Sequence, residues 1–181
     1  MDSSQMENAL TDMETLAKAL NIEPFDVYIL GGAGCVLARY FDRATRDFDI
    51  VDLDYSASLG RVMKPLEPFD LIDLQLATIP PGYKARATRL PQFKYLSIYV
   101  LSREDIIVSK LARFNERDSD DIKKLLAGAD ISLVFGLSEK VLGSDYAPKL
   151  KHSLVENLAR CLDDCGVSDS VQQFEELRKR V

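Results

Sequence analysis

Residues 25 to 54 constrain the fold more than any other stretch. Phe25-Asp-Val-Tyr-Ile-Leu30 is a short apolar strand that stops at Gly31-Gly32, small residues then open a helix, and a second strand starts at Asp47 and carries Asp49. Side chains alternate faces along a strand, so Asp47 and Asp49 lie side by side, with Phe48 and Ile50 on the other face. Two adjacent carboxylates repel, and a divalent cation relieves the repulsion. Such a hard oxygen pair suits Mg²⁺, which binds one or two carboxylates together with substrate phosphates. The glycine turn offers backbone N–H groups at a helix start, where phosphate is well received. A phosphate cradle beside a metal-binding acid pair points to phosphoryl or nucleotidyl transfer.

The remaining composition narrows the class. At 181 residues the chain is one domain, or one domain with a small appendage. A net charge of −6 argues against a general nucleic-acid coat protein. That charge is uneven. Lys84, Arg86, Arg89, Lys94, Arg103, Lys110, Arg113 and Arg117 face only Glu104, Asp105 and Glu116 in the same stretch. The local excess suits a triphosphate or an RNA end, and equally a solvated face. Three cysteines, Cys35, Cys161 and Cys165, point to a reducing cytoplasm. Cys161 and Cys165 stand one helical turn apart without a second pair, and His152 is the single histidine, so neither a zinc site nor a His-rich centre is expected. No apolar run reaches 18 residues, so no membrane span is expected.

Along the chain, Met6, Leu10, Met13, Ala17 and Leu20 predict an amphipathic helix over 4–20, capped by Ser3 or Ser4. Further helices are expected over 33–41 and over 56–66 with Ser56 as cap. Strands are expected over 47–53, 69–79 and 95–101, with a weaker one over 85–90. In the strand over 69–79, Leu71, Asp73 and Gln75 share a face. From Ser102 the character becomes helical: one helix from Ser102 to about Phe114, then 117–126 stopped by Gly128, a short one over 136–142, and 148–165 and 168–180 joined at Gly166. The expected organisation is an α/β core over 1–101 and a helical region over 102–181 packed on it.

Asp47, Asp49 and Asp73 form a candidate carboxylate triad. Metal ions held by three acids can clamp an in-line displacement at phosphorus. The bland alternative is solvated acids at a strand edge. Asp52 and Asp54 are also two apart but point the other way and read as surface. A second cluster runs Lys110-Leu-Ala-Arg113-Phe-Asn-Glu-Arg117-Asp118-Ser-Asp-Asp121. Its Lys110, Arg113 and Arg117 have helical spacing on one face and suit a triphosphate, with Asp118 and Asp121 anchoring the cations. A salt-bridged surface helix has the same spacing.

These motifs, in this order, resemble a known family. Gly31-Gly32-Ala33 followed by Arg43-x-Thr45-x-Asp47-x-Asp49 resembles the signature of the nucleotidyltransferase superfamily with the DNA polymerase β-like fold. The Lys110–Asp121 cluster resembles the helical motif of its AbiEii-like and MenT-like bacterial members, many of them toxins of toxin–antitoxin pairs. Asp70-Leu-Ile-Asp73-Leu and Pro81-Gly82-Tyr83-x-x-Arg86 also look like the uncharacterised relatives of that branch.

The resemblance implies an α+β fold, a mixed sheet flanked by helices and followed by a helical bundle. It implies Mg²⁺ on Asp47 and Asp49 with Asp73 as third acid, and nucleotide phosphates on Gly31 and Gly32. Lys110 and an acid at Asp118 or Asp121 are implied for activity. Arg43, Thr45 and Arg113 complete the nucleotide-binding set. The implied reaction transfers NMP from an NTP to a hydroxyl of an RNA end or a protein, with a cognate antitoxin as partner. Transfer to a small molecule and a non-catalytic antitoxin of the same fold are the alternatives. One departure is Ala33, where many relatives carry Ser or Thr; a backbone cradle tolerates it and a side-chain phosphate contact does not.

Overall fold

The apolar stripe near the N-terminus folds as its spacing dictates. Helix α1 (Ser3–Ala19) buries Met6, Leu10, Met13 and Ala17 completely. Its cap is Asp2, not Ser3 or Ser4, which lie inside the first turn. Asp2 Oδ1 accepts from the Gln5 backbone N–H at 2.9 Å, and Gln5 Oε1 accepts from the Asp2 N–H at 3.0 Å. This reciprocal pair satisfies donors that a helix start otherwise leaves open.

The computed structural model describes residues 1–51, 57–74, 77–145 and 148–166, with 175, 177 and 179. The Ser56 cap, the rival acids Asp52 and Asp54, Gln75 and most of the helix expected over 168–180 lie outside the described residues. The chain divides into two compact units, Met1–Asp73 with Lys84–Ser102, and Leu74–Tyr83 with Arg103–Val181.

In the first unit, β1 (Asp26–Leu30), β2 (Phe48–Val51), β3 (Phe69–Ile72), β4 (Thr88–Arg89) and β5 (Ser97–Val100) form a five-stranded sheet in the order β3-β2-β1-β5-β4. The β1–β2 and β4–β5 pairs are antiparallel, and β1–β5 and β2–β3 are parallel. The sheet is therefore mixed, as the resemblance implies. Helices α2 (Gly31–Leu37) and α3 (Ala57–Met63) join α1 beside it, giving an α+β fold. Alternation sorts the two sheet faces. Val27, Ile29, Phe48, Ile50, Ile98 and Val100 face the core shared with Met6, Leu10 and Met13. Tyr28, Leu30, Asp49, Asp70, Arg89 and Tyr99 belong to the opposite face by register.

Several boundaries differ from expectation. The helix after the glycines begins at Gly31 itself and stops at Leu37, before Arg39 takes a left-handed φ of 56°. Strand β3 ends at Ile72 rather than near Ile79, because the chain turns from Leu74 and Thr78 is left-handed at φ 46°. The candidate strand over 85–90 is a helical turn, α4 (Tyr83–Arg86), followed by the two-residue β4.

Glu14 is the buried acid of α1. Its Oε1 accepts from the backbone N–H groups of Lys94, Tyr95 and Leu96 at 2.7, 2.5 and 3.1 Å. It thereby fixes the loop that carries β4 into β5. Burial pushes the Glu14 carboxyl up, but those three donors and Lys18 outweigh it and hold it below the usual range.

The second unit contains α5 (Arg103–Leu111), α6 (Glu116–Leu126), α7 (Ile131–Leu142) and α8 (Pro148–Asp164). Their buried stripes include Ile106, Ile107, Leu111, Ile122, Leu125, Val134, Leu137, Leu154 and Leu158. Helix α5 ends three residues before the expected Phe114, which is left-handed at φ 43°; Asn115 then caps α6. Helix α7 starts at Ile131, earlier than expected, because Asp130 caps it through the Leu133 N–H at 3.1 Å. The Asn157 amide donates to the Leu111 carbonyl at 2.7 Å and satisfies the end of α5. Arg103 donates to the Leu125 carbonyl at 3.3 Å, and a Cβ on Gly128 would stand 2.3 Å from that guanidinium. Among the described residues no helix is long and apolar enough to cross a membrane.

Candidate active site

The first unit gathers its motif residues on the glycine turn. Strand β1 delivers the turn, and Leu30 pairs with Asp49 across the antiparallel β1–β2 ladder. The pairing sets Asp49 against Gly31, whose φ is 64°. A Cβ at Gly31 would fall 1.7 Å from Asp49 Oδ2 and 2.7 Å from its Cγ. A Cβ at Gly32 would fall 2.8 Å from both Arg43 Nη2 and Thr45 Oγ1. Only hydrogen at both positions lets a carboxylate, a guanidinium and a hydroxyl approach the same turn. Arg43, Thr45, Asp49 and the two glycines, separated in sequence, thus converge.

Each side chain is held locally. Arg43 lies over the Phe41 ring with its guanidinium carbon 5.6 Å from the centroid, and donates to the Ala44 carbonyl at 3.2 Å. Thr45 is buried. Asp47 stands half-buried in the bend just ahead of β2, and Asp49 is half-buried within it. The structure places Asp73 differently from the long strand read in sequence. It lies exposed, one residue past the end of β3. The acid beside Asp49 is instead Asp70, its register partner in parallel β3. Partners in register share a sheet face, so Asp70 stands next to Asp49. Sequence spacing conceals this, because the pairing of β2 with β3 decides it.

Among the described residues, no three of His, Cys, Asp and Glu come together as a group able to hold a metal ion. The Asp47–Asp49 pair fits Mg²⁺ all the same, because that ion keeps several waters and takes one or two carboxylates plus substrate phosphates.

The second unit holds the other motif. Lys110 Nζ lies 2.8 Å from Asp118 Oδ1 and 3.0 Å from Asp121 Oδ2. Arg113 grips the same Asp118 with two bonds, Nε to Oδ2 at 2.9 Å and Nη2 to Oδ1 at 3.0 Å. Asp118 also closes the cap of α6: its Oδ2 accepts from the Asn115 N–H at 3.3 Å, and its own N–H donates to Asn115 Oδ1 at 2.9 Å. Burial pushes the Asp118 carboxyl up, but Arg113 and Lys110 outweigh it and hold it below the usual range. Lys110, Asp118 and Asp121 are buried, while the Arg113 side chain is 67% exposed.

The three cations do not share one helical face. Lys110 is on α5, Arg113 in the turn, and Arg117 exposed on α6. Two acids already balance Lys110 and Arg113. The network ties α5 to α6, and Arg113 is its outward-facing member. The signal missed in sequence was Asn115 with Asp118 three residues on, a capping pair that starts a new helix.

A family model described as "Nucleotidyltransferase of unknown function (DUF6036)" matches residues 5–179 of the chain. No curated protein and no solved structure matches it.

Proposed function

The chain belongs to that family of nucleotidyltransferases of unknown function, and on this premise we propose that it transfers NMP from an NTP to an acceptor hydroxyl with Mg²⁺. One observation carries the reading: Arg43, Thr45 and Asp49 converge on the Gly31-Gly32 turn, with Asp70 beside Asp49. Asp47 and Asp49 would hold the ion. When bound, it would neutralise the acid pair and the phosphate charge that develops in transfer.

The chain's own groups do the rest. The backbone of Gly31 and Gly32 and the Arg43 guanidinium bind phosphate oxygens. A third carboxylate takes the proton of the acceptor hydroxyl as its oxygen bonds to the α-phosphorus and the bond to pyrophosphate breaks. We assign that carboxylate to Asp70, because it adjoins Asp49; Asp73 is the alternative. Lys110 is a positioning residue that fixes Asp118 and hence Arg113, the exposed member of its cluster. The acceptor is an RNA end or a protein hydroxyl. A toxin role, with growth arrest relieved by a cognate antitoxin, rests on the resemblance of the Lys110–Asp121 motif alone.

The test uses purified protein, cell extract and each NTP labelled at either the α or the γ position. Transfer of α-label to a macromolecule, dependent on Mg²⁺, is expected. Transfer of γ-label instead would make the protein a phosphotransferase and overturn the assignment.

A further inference from the structure

The Lys84–Ser102 segment of the first unit carries Lys84, Arg86, Arg89 and Lys94 and no acid, in a chain of net charge −6. These four cations flank or lie within the β4–β5 hairpin at one edge of the sheet. Lys84, Arg89 and Lys94 are exposed, as are Thr88, Pro91 and Gln92 of the same hairpin. Glu14 pins the loop by three backbone bonds and leaves the Lys94 side chain outside.

Register ties this edge to the acids. Arg89 pairs with Tyr99, and Tyr99 with Tyr28, whose rings stack at 4.8 Å. Lys84 lies over the Tyr28 ring at 5.4 Å. Tyr28 is in turn the β1 neighbour of Val51, on the face that carries Asp49 and Asp70. By register Arg89 belongs to the same sheet face as Asp49 and Asp70, with the buried Tyr28 and Val51 between them. Three strand spacings separate β4 from β2, about 14 Å.

We propose that the β4–β5 edge is the docking surface for the phosphodiester chain of a single-stranded RNA acceptor. The inference rests on the nucleotidyltransferase reading and names its acceptor class. A triphosphate held at Asp47 and Asp49 lies beside those acids and has no use for cations three strands away. An RNA strand has both parts required: a phosphate chain for Lys84, Arg89 and Lys94, and a terminal hydroxyl to reach the acid pair. Its binding is electrostatic and salt-dependent.

Fluorescence anisotropy with a labelled 20-nucleotide single-stranded RNA tests this, using the full-length protein at several salt concentrations. An acidic peptide of equal charge is the competitor. The expected result is RNA binding that the Lys84→Gln/Arg89→Gln/Lys94→Gln variant weakens at least tenfold. The slope of log K against log salt should fall by about 2, at roughly 0.7 per lost phosphate contact. Lys84→Gln/Lys94→Gln, which spares the Arg89 bond to the Phe93 carbonyl, should give an intermediate slope and guards against a folding artefact. Wild-type affinity in either variant, or displacement of RNA by an equimolar amount of the peptide, overturns the proposal. Label transfer to a protein or small molecule without RNA binding overturns it too, yet leaves the nucleotidyltransferase reading standing. RNA binding lost in the variants, with no NTP label transferred to any acceptor, sinks the enzymatic reading and leaves the surface.

Discussion

Substituting Gly31 by Ala tests the contact on which the site is built. Two costs are separable. At φ 64° an L side chain is strained, which costs about 1–2 kcal/mol. The new methyl also falls 1.7 Å from Asp49 Oδ2, so the carboxylate must leave its place. Overpacking of that kind costs about 1–3 kcal/mol. The sum, about 2–5 kcal/mol, is large for a protein of this size. Removing the carboxylate first should remove the second cost alone, because the nearest remaining atom is the residue-49 Cβ at 3.1 Å. Gly31→Ala should therefore cost only about 1–2 kcal/mol in an Asp49→Ala background. Urea unfolding of the wild type, both single variants and the double variant measures the coupling, expected at about 1–3 kcal/mol. Equal cost of Gly31→Ala in both backgrounds would show that Asp49 does not lie against the turn.

Other perturbations reach the remaining supports. Glu14→Ala strands three backbone donors and should lower stability by about 2–4 kcal/mol in urea unfolding; an unchanged midpoint contradicts the loop anchor. Because the folded Glu14 carboxyl titrates below its unfolded value, its stabilisation is fully present above the ordinary carboxylate range and is lost as pH falls through the folded value. The stability gap between wild type and Glu14→Gln should accordingly narrow below about pH 4, and a widening gap would refute the sign. Lys110→Met leaves Asp118 and Asp121 buried without their shared cation and should cost about 3–5 kcal/mol, against a negligible change if the cluster were solvated. Cys35 and Cys161 are buried and Cys165 is exposed, and burial pushes the Cys161 thiol up to about 12. A thiol reagent at pH 8 should therefore label the folded chain rapidly at Cys165 only; rapid labelling that survives Cys165→Ser would contradict that burial.

Local periodicity made much of the first unit legible. The stripe Met6, Leu10, Met13 and Ala17 needs one helix and one core to be read correctly, and both are present. The glycine turn and the alternation of Asp47, Phe48, Asp49 and Ile50 depend on residues close in sequence. What stayed hidden depends on partners. Asp70 and Asp73 are both carboxylates in an apolar run, and only the parallel pairing of β3 with β2 selects Asp70 as the neighbour of Asp49. Lys110, Arg113 and Arg117 keep helical spacing whether or not the helix continues between them; the left-handed Phe114 and the Asn115 cap interrupt it. In the sequence Glu14 is indistinguishable from any other charge on an amphipathic helix, since its three donors lie some eighty residues away.

The proposed chemistry stands or falls on the acid pair. The decisive measurement is Mg²⁺-dependent release of pyrophosphate with matching incorporation of α-labelled nucleotide, in wild type and in Asp47→Asn/Asp49→Asn. The double variant should lose at least about 100-fold in both signals while unfolding in urea no earlier than wild type. Undiminished label transfer by that variant would place the chemistry elsewhere in the chain and contradict the account.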